Sequence, residues 1–230
     1  MHTASPLPVK PPTDENECVK PALEGTLAVM RAAAKHKVKR VVITSSGLTV
    51  TMMKTENMKA VYNEDDWADL EVLGPYEKSK TLAEKAAWDF VKELPEDQKF
   101  ELVSVIPGLV QGPPIVFSDF SSAFYMKLMM LGLMPGLPKI MFPVVDVRNV
   151  AEAHLNAIKI EEAKNQRFLL VDDTYKFKEL SDTLRAHYGE KYPFKTEELA
   201  ESPPDNVRFK LLWDKVYKVD NSKSKNILGI

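Results

Sequence analysis

The sequence has little that would point to a secreted, membrane-embedded or nucleic-acid-binding protein. Its one cysteine, Cys18, cannot form a disulfide within the chain, which favours a reducing compartment. No basic segment followed by an apolar one opens the chain, and the most apolar stretch, residues 128–137, is too short to span a bilayer. The 31 Lys and Arg residues nearly balance the 33 Asp and Glu residues, without a long block of either sign. We therefore predict a cytoplasmic protein that binds neither nucleic acids nor membranes.

Glycine is also scarce. There are nine glycines, and none belongs to the Gly-x-x-Gly-x-x-Gly loop that holds a dinucleotide pyrophosphate at a helix N-terminus. The rest of the composition is ordinary, with 44% hydrophobic and 28% charged residues. A chain of 230 residues with this composition can bury one or two cores, so disordered and fibrous classes are excluded.

Short β-branched runs alternate with longer helical patterns, which is typical of an α/β fold with a parallel sheet. The patterns predict strands at residues 38–44, 100–106, 142–145 and 167–171, and helices at residues 16–37, 76–94, 119–133, 147–160 and 175–188. Pro75 is predicted to open the second helix, and Asp146 and Thr174 are predicted to cap the last two. Residues 55–69 are predicted to form a loop, and the segment after residue 191 a loop followed by a short terminal helix.

Tyr76 and Lys80 lie four residues apart in the second predicted helix, so their side chains share one face. A free phenol has a pKa near ~10, and a neighbouring positive charge favours the phenolate, which brings the group toward acid–base chemistry at neutral pH. The spacing is weakly specific by itself, because seven tyrosines in a lysine-rich chain can produce a Tyr-x-x-x-Lys match by chance. The surrounding sequence has to decide.

Small hydroxyl residues follow the first predicted strand. Ser45 and Ser46 lie at its carboxyl end, the edge where open α/β sheets place their ligands. The turn after the next strand, which begins with Pro107 and Gly108, reaches the same edge. A serine hydroxyl there can donate to a substrate oxygen, or it can merely satisfy strand-end backbone groups. Three separate segments therefore converge on one rim of the predicted sheet.

Five stretches carry a family resemblance by their order and spacing. They read RVVITSS at residues 40–46, YNEDDW at 62–67, YEKSKTLAEKAAW at 76–88, PGLVQGP at 107–113 and DVRNVAEAH at 146–154. Together with DNSK at residues 220–223, they resemble the dihydroflavonol reductase and cinnamoyl-CoA reductase branch of the extended short-chain dehydrogenases, in the NAD-dependent epimerase/dehydratase superfamily. The similarity covers nearly the whole chain.

The resemblance implies a Rossmann-type parallel sheet, of which this chain carries the rear half, with a small C-terminal substrate-binding portion. Residues 1–112 are predicted to form the rear half of the dinucleotide-binding domain. Residues 113–230 are predicted to combine the substrate-binding portion with a returning Rossmann strand and helices. The first strands of the family's sheet have no counterpart here, so the predicted sheet presents a raw edge. Two explanations stay open: the sequence is part of a longer enzyme, or it is a short form that associates with itself or another chain through this edge or has a role other than catalysis.

The resemblance also implies the catalytic residues. Tyr76 is expected to protonate a carbonyl oxygen as hydride arrives from the nicotinamide. Lys80 is expected to lower the pKa of Tyr76 and to hold the nicotinamide ribose, and Ser46 to hydrogen-bond and orient the carbonyl. Ser45 is the less favoured catalytic hydroxyl and is assigned to the cofactor side.

For the cofactor, the resemblance implies NADP. NAD stays open, because the residues that would read the 2′-phosphate are not in this sequence. The segment beside the adenine-side ribose is matched by Thr3, Ala4 and Ser5. The residues that line the nicotinamide, with Tyr76 and Lys80 beside them, are matched by Pro107, Gly108, Leu109 and Val110.

Other conspicuous residues are given structural roles. His154 has no Cys, His or acidic partner at metal-ligand spacing, and we interpret it as packed or hydrogen-bonded. The acidic residues 64–66 are interpreted as solvated loop and helix-start charge, and no metal site is predicted. One apolar set suits core packing and a pocket for a bulky apolar ligand equally well. It consists of Phe120, Phe124, Met126, Met129, Met130 and Met134.

The sequence therefore predicts NAD(P)H-dependent reduction of a ketone, aldehyde or thioester-derived carbonyl on a bulky, partly apolar small molecule. Two alternatives stay open: a non-catalytic interaction fragment or pseudoenzyme, and another extended member such as a hydroxysteroid dehydrogenase or a sugar-nucleotide epimerase. Failure to bind a dinucleotide would favour the first. The Met- and Phe-rich region argues against a polar sugar nucleotide.

Overall fold

The computed structural model describes residues 1–7, 12–116, 121–204 and 206–230. The strands are β1 (Arg40–Thr44), β2 (Val61–Tyr62), β3 (Glu101–Pro107), β4 (Leu109–Gln111), β5 (Met141–Asp146), β6 (Gln166–Leu170), β7 (Asp173–Lys176) and β8 (Lys218–Val219). The α-helices are α1 (Asn16–Lys35), α2 (Leu48–Thr51), α3 (Pro75–Glu93), α4 (Ser121–Met130), α5 (Val147–Lys159), α6 (Phe177–Tyr188) and α7 (Val207–Leu212). A π-helical turn, Ser224–Leu228, follows β8.

The main sheet is parallel and has the order β1-β3-β6. Its strands are buried on both faces, which explains their near-continuous apolar sequences. A single parallel bridge from His2 to Ile43 adds the first described segment beside β1. Because all strands run the same way, the residues that follow β1 and β3 meet at one edge. The predicted α/β fold with a parallel sheet is confirmed, while the division of the chain at residue 112 stays a prediction.

The chain leaves the main sheet directly after β3. Gly108 separates β3 from β4, which pairs in parallel with β5, and β5 pairs antiparallel with β7. A Cβ atom at Gly108 would lie 2.3 Å from the carbonyl oxygen of Pro143, so any other residue would force the strands apart. A second small sheet joins β2 to β8 in parallel.

Two expectations about local structure were wrong, and the short strand β4 was not predicted. Thr174 does not cap a helix, because residues 173–176 form β7 and Thr174 lies opposite Pro143. Helix α6 starts at Phe177 instead, where the Glu179 carboxylate accepts a 2.7 Å hydrogen bond from the Lys176 backbone N–H. The acidic residues Glu64 and Asp66 are buried rather than solvated, since Asp66 pairs with Lys59 and accepts from the Asn63 N–H.

Three apolar clusters hold these elements together. The largest surrounds β5, α4, α6 and α7 and contains an aromatic group in which Tyr125 contacts Phe142, Phe177 and Phe209. Met129 and Met134 belong to this core, whereas Phe124 is 45% exposed and Phe120 lies outside the described residues. The set of Met and Phe side chains is therefore divided between core and surface. Within the described ranges, every helix is too short or too polar to cross a bilayer.

Candidate active site

Ser46 lies in a tight turn at the carboxyl edge of the main sheet. The turn stays bonded to β3 after β1 has ended, because Ser45 N–H donates to the Val105 carbonyl and Gly47 N–H to the Pro107 carbonyl, both over 2.8 Å. Both serines are buried. The predicted convergence of the segments that follow β1 and β3 is present in the structure.

Helix α3 carries Tyr76 and Lys80 to this edge. Pro75 occupies its first turn, as predicted, where a missing N–H costs nothing. Lys80 is 8% exposed, and its Nζ donates a 2.6 Å hydrogen bond to the Thr44 carbonyl at the end of β1. The structure thus brings the Tyr76–Lys80 face against the strand end that precedes Ser46.

The electrostatics of Tyr76 differ from the sequence-based expectation. Burial raises the pKa of the phenol, and the positive charge of Arg208 and the hydroxyl of Ser46 only partly oppose this rise. Arg208, in α7, is held by Glu77, which accepts from its guanidinium Nε over 2.9 Å. Lys80, which was expected to lower the pKa of Tyr76, is instead directed to Thr44. The phenol is therefore protonated at neutral pH.

Lys80 itself has an unusual titration. Burial lowers the pKa of its ammonium group to about 8, and the negative charge of Glu84 opposes that change. His154 stabilises the same strand end, since its Nε2 lies 2.7 Å from the Thr44 hydroxyl and its Nδ1 lies 2.7 Å from the Val150 carbonyl. The structural role predicted for His154 agrees with these contacts.

Two of the three N-terminal cofactor candidates lie beside Lys80. Ala4 and Ser5 line a small cavity of about 20 Å³, enough for one water molecule, together with Ser45 and Lys80. The Ser5 hydroxyl is buried and has no hydrogen-bond partner among the described residues. Thr3 is exposed and does not line this cavity.

The second group of cofactor candidates follows β3. Pro107 ends β3 and Gly108 occupies the crossing to β4. Leu109 and Val110 lie in β4, half-buried, opposite Val144 and Val145 of β5. Leu109 packs against the largest apolar cluster and Val110 against a second one, so the backbone of this segment is fixed on both sides.

Sequence reasoning missed a buried polar group behind this site. Glu84 lies one turn beyond Lys80 on α3 and accepts hydrogen bonds from Ser45 and from Arg167 of β6. The signal was present in the sequence, because Tyr76, Lys80 and Glu84 are spaced by four residues and share one helical face. The described residues contain no group of three or more His, Cys, Asp or Glu side chains able to hold a metal ion.

The chain is similar in sequence to a known family of enzymes and to several of its members. Residues 1–193 match the model of the 3-beta hydroxysteroid dehydrogenase/isomerase family. The chain belongs to this family. The dihydroflavonol reductase resemblance is also confirmed, since dihydroflavonol 4-reductase from Arabidopsis thaliana is 44% identical over 126 residues, which are 51% of this chain and 31% of that protein.

Several relatives match the whole chain. Ketoreductase azaE from Aspergillus niger is 34% identical over 247 residues, covering 100% of this chain and 69% of the relative. The crystal structure of the yeast methylglyoxal/isovaleraldehyde reductase Gre2 complexed with NADPH superposes with a TM-score of 0.78 and 31% identity, covering 100% of this chain and 70% of that one. Both comparisons leave about a third of the relative without a counterpart in this sequence.

Proposed function

We propose that this protein reduces a ketone or aldehyde carbonyl on a bulky, partly apolar small molecule, with NADPH as the hydride source. The observation that carries the proposal is the convergence of Ser46, Tyr76 and Lys80 on the carboxyl edge of the main sheet. Support comes from relatives described as a ketoreductase and as an NADPH-dependent methylglyoxal reductase. A cytoplasmic location is part of the proposal.

The residues beside Lys80 fit the ribose side of such a cofactor. Lys80 has three N–H donors and uses one on Thr44, and the buried Ser5 hydroxyl lacks a partner among the described residues. We propose that these two groups, with Ala4 and Ser45 around them, bind ribose hydroxyls. Pro107, Gly108, Leu109 and Val110 are proposed to border the nicotinamide and Thr3 the adenine-side ribose. We prefer NADP to NAD because one relative is an NADPH-dependent methylglyoxal reductase and the similar Gre2 crystal structure contains NADPH.

The chemistry assigned to this chain is proton transfer. When bound, the reduced nicotinamide supplies a hydride to the carbonyl carbon, and the electron pair of the C=O bond moves to oxygen. Tyr76 gives its phenolic proton to that oxygen, since burial raises the pKa of the phenol and the acid form is the one present at neutral pH. The same burial makes the phenol a weaker acid, which the positive charge of Arg208 partly opposes. Ser46 donates a hydrogen bond that orients the carbonyl, and the positive charge of Arg208 favours the phenolate left behind.

The test starts with NADPH titration of the 230-residue chain, followed through quenching of its three tryptophans. We expect saturable binding and NADPH consumption that depends on an added ketone or aldehyde. In a chain completed with the front half of the sheet, Tyr76→Phe should remove nearly all turnover and leave NADPH affinity largely intact, whereas Tyr188→Phe, at an exposed site, should change neither. Full turnover by Tyr76→Phe would refute the assignment, and a folded chain that does not bind NADPH would favour a non-catalytic interaction role.

Self-association through the edge of the main sheet beside His2 is a further part of this proposal. The single bridge from His2 to Ile43 leaves the outer side of this segment to pair with another strand. Sedimentation velocity across a concentration series should show a dimer. A monomer at all concentrations would refute the association.

A further inference from the structure

The Glu84 carboxylate is enclosed by hydrogen-bond donors in the interior of the protein. Its side chain is 1% exposed, and it lies between α3 and the main sheet. Arg167 Nε donates to it over 2.8 Å, the Ser45 hydroxyl over 2.5 Å and the Thr49 hydroxyl over 3.3 Å. A buried carboxylate needs this many partners, because an uncompensated charge in the protein interior is very unfavourable.

Arg167 is held as firmly as its partner. Its guanidinium donates to the backbone carbonyls of Glu64 and Asp66 and stacks over the Trp67 ring at 3.6 Å from the centroid. Burial raises the pKa of Glu84, but the charge and hydrogen bonds of Arg167 outweigh this effect and hold the pKa below its usual value. Glu84 is therefore a fixed negative charge.

The Glu84 carboxylate acts on two parts of the candidate active site, the turn that contains Ser46 and the Lys80 ammonium group. Ser45, which it holds, immediately precedes Ser46 in the turn after β1. Lys80 lies one turn away on the same face of α3, and the Glu84 charge favours its protonated form. Within the described part of the chain, His2, on the segment beside β1, also interacts with Lys80, and Tyr76 shares its helical face, while β1 contributes the Thr44 carbonyl. Glu84 is thus the negative charge that offsets the burial of the Lys80 ammonium.

We propose that Glu84 is a positioning residue of the active site: clamped by Arg167, it anchors Ser45 beneath the Ser46 turn and places a fixed negative charge one helical turn from the buried Lys80 ammonium, beside the small cavity that both side chains line. The proposal rests on the proposed function for the use made of Lys80. The contacts themselves need neither cofactor nor substrate. They predict that removing the charge of Glu84, with its shape retained, makes Lys80 a weaker base.

The experiment is an NMR titration of the Lys80 ¹⁵Nζ resonance in the full 230-residue chain, assigned by its loss in Lys80→Arg. We expect Glu84→Gln to lower the pKa of Lys80 by about one pH unit or more, which raises the neutral fraction about tenfold where the charged form dominates. Asp89→Asn is the matched control, because Asp89 is an exposed carboxylate on the same helix, and it should leave the titration unchanged. Equal Lys80 pKa values in wild type and Glu84→Gln would overturn the proposal.

A second variant covers the case in which Glu84→Gln does not fold. Glu84→Asp keeps the charge and withdraws it by one methylene, so the pKa of Lys80 should fall by less but in the same direction. An unchanged value in a folded Glu84→Asp would equally overturn the proposal. Because the titration uses no NADPH, failure of the chain to bind NADPH would refute the proposed function alone. In an active protein, Glu84→Gln should also move the alkaline limb of the kcat profile to lower pH.

Discussion

Helix α3 is attached to the rest of the molecule by two arginine–glutamate pairs that differ in their surroundings. The inner pair joins Glu84 to Arg167 of the main sheet, with side-chain exposures of 1% and 11%. The outer pair joins Glu77, in the first turn, to Arg208 of α7, with exposures of 8% and 23%. The inner pair also binds the hydroxyls of Ser45 and Thr49 and the backbone carbonyls of Glu64 and Asp66. The side-chain hydrogen bonds described for the outer pair run between its two members.

Because their surroundings differ, the two arginine–glutamate pairs have different roles at the same site. The inner pair fixes the helix against the sheet, so the Lys80 side of the site cannot move without breaking a compensated buried charge. The outer pair connects the helix beside Tyr76 to a segment that follows 131 residues later and that packs on the apolar cluster around Tyr125. We interpret the inner pair as the rigid support of the site and the outer pair as its link to α7.

Breaking the inner pair should have the largest effect. Arg167→Met leaves the Glu84 carboxylate buried without its counter-charge, and we expect a loss of about 3–5 kcal/mol in the free energy of unfolding. Urea denaturation followed by circular dichroism measures this loss. Arg148→Met, which breaks the exposed pair with Asp146, is the control and should leave the unfolding curve unchanged. If Arg167→Met costs no more than Arg148→Met, the inner pair is not the support described above.

Breaking the outer pair should cost less stability than breaking the inner pair, but it should change the pKa of Tyr76. Arg208→Met removes hydrogen bonds to a carboxylate at a more exposed position, so we expect a loss of about 2 kcal/mol. It also removes the positive charge that opposes the raised pKa of Tyr76, and that pKa should therefore rise further. The ¹³Cζ resonance of Tyr76 as a function of pH measures this change. If the pKa of Tyr76 does not change in Arg208→Met, the outer pair has no electrostatic effect on Tyr76.

Removing a single hydrogen bond of the inner pair should have the smallest effect on stability. Ser45→Ala removes one hydrogen bond to Glu84 and leaves Arg167 in place, so we expect a loss of about 1 kcal/mol. The same urea titration measures it, with Ser202→Ala as control, because Ser202 is half-buried and its hydroxyl contacts only the neighbouring Pro203 carbonyl among the hydrogen bonds described. A loss as large as that of Arg167→Met would mean that the serine, rather than the arginine, compensates the buried carboxylate.

Much of the fold was predictable from local sequence. β1, α3, β3, β5 and α5 have apolar patterns or end signals that match their structures, including the Asp146 cap, whose carboxylate accepts from the Arg148 N–H. The elements that were missed are short. β4, β8 and α7 have two to six residues each, and pairing with distant strands or packing on the apolar cluster stabilises them rather than a pattern of their own.

The candidate site residues at strand and helix ends were predictable from the sequence, whereas the arginines that support them were not. Ser46, Tyr76 and Lys80 lie in motifs at strand and helix ends, and parallel topology is sufficient to bring them to one edge. Arg167 and Arg208 could not be assigned in this way, because each reaches its glutamate across 83 and 131 residues of chain. Periodicity places Glu84 on the Lys80 face of α3, but it contains no information about which distant cation neutralises it.

The crossing at Gly108 has a consequence for how this molecule can move. The main sheet and the β4-β5-β7 sheet are joined there by one residue whose backbone touches the neighbouring strand, which leaves no room for a hinge. The two sheets should therefore behave as one rigid body, and closure around a ligand would have to come from peripheral segments such as α4 and α7. Engineering that aims to alter the opening of the site should begin with those helices and leave the crossing untouched.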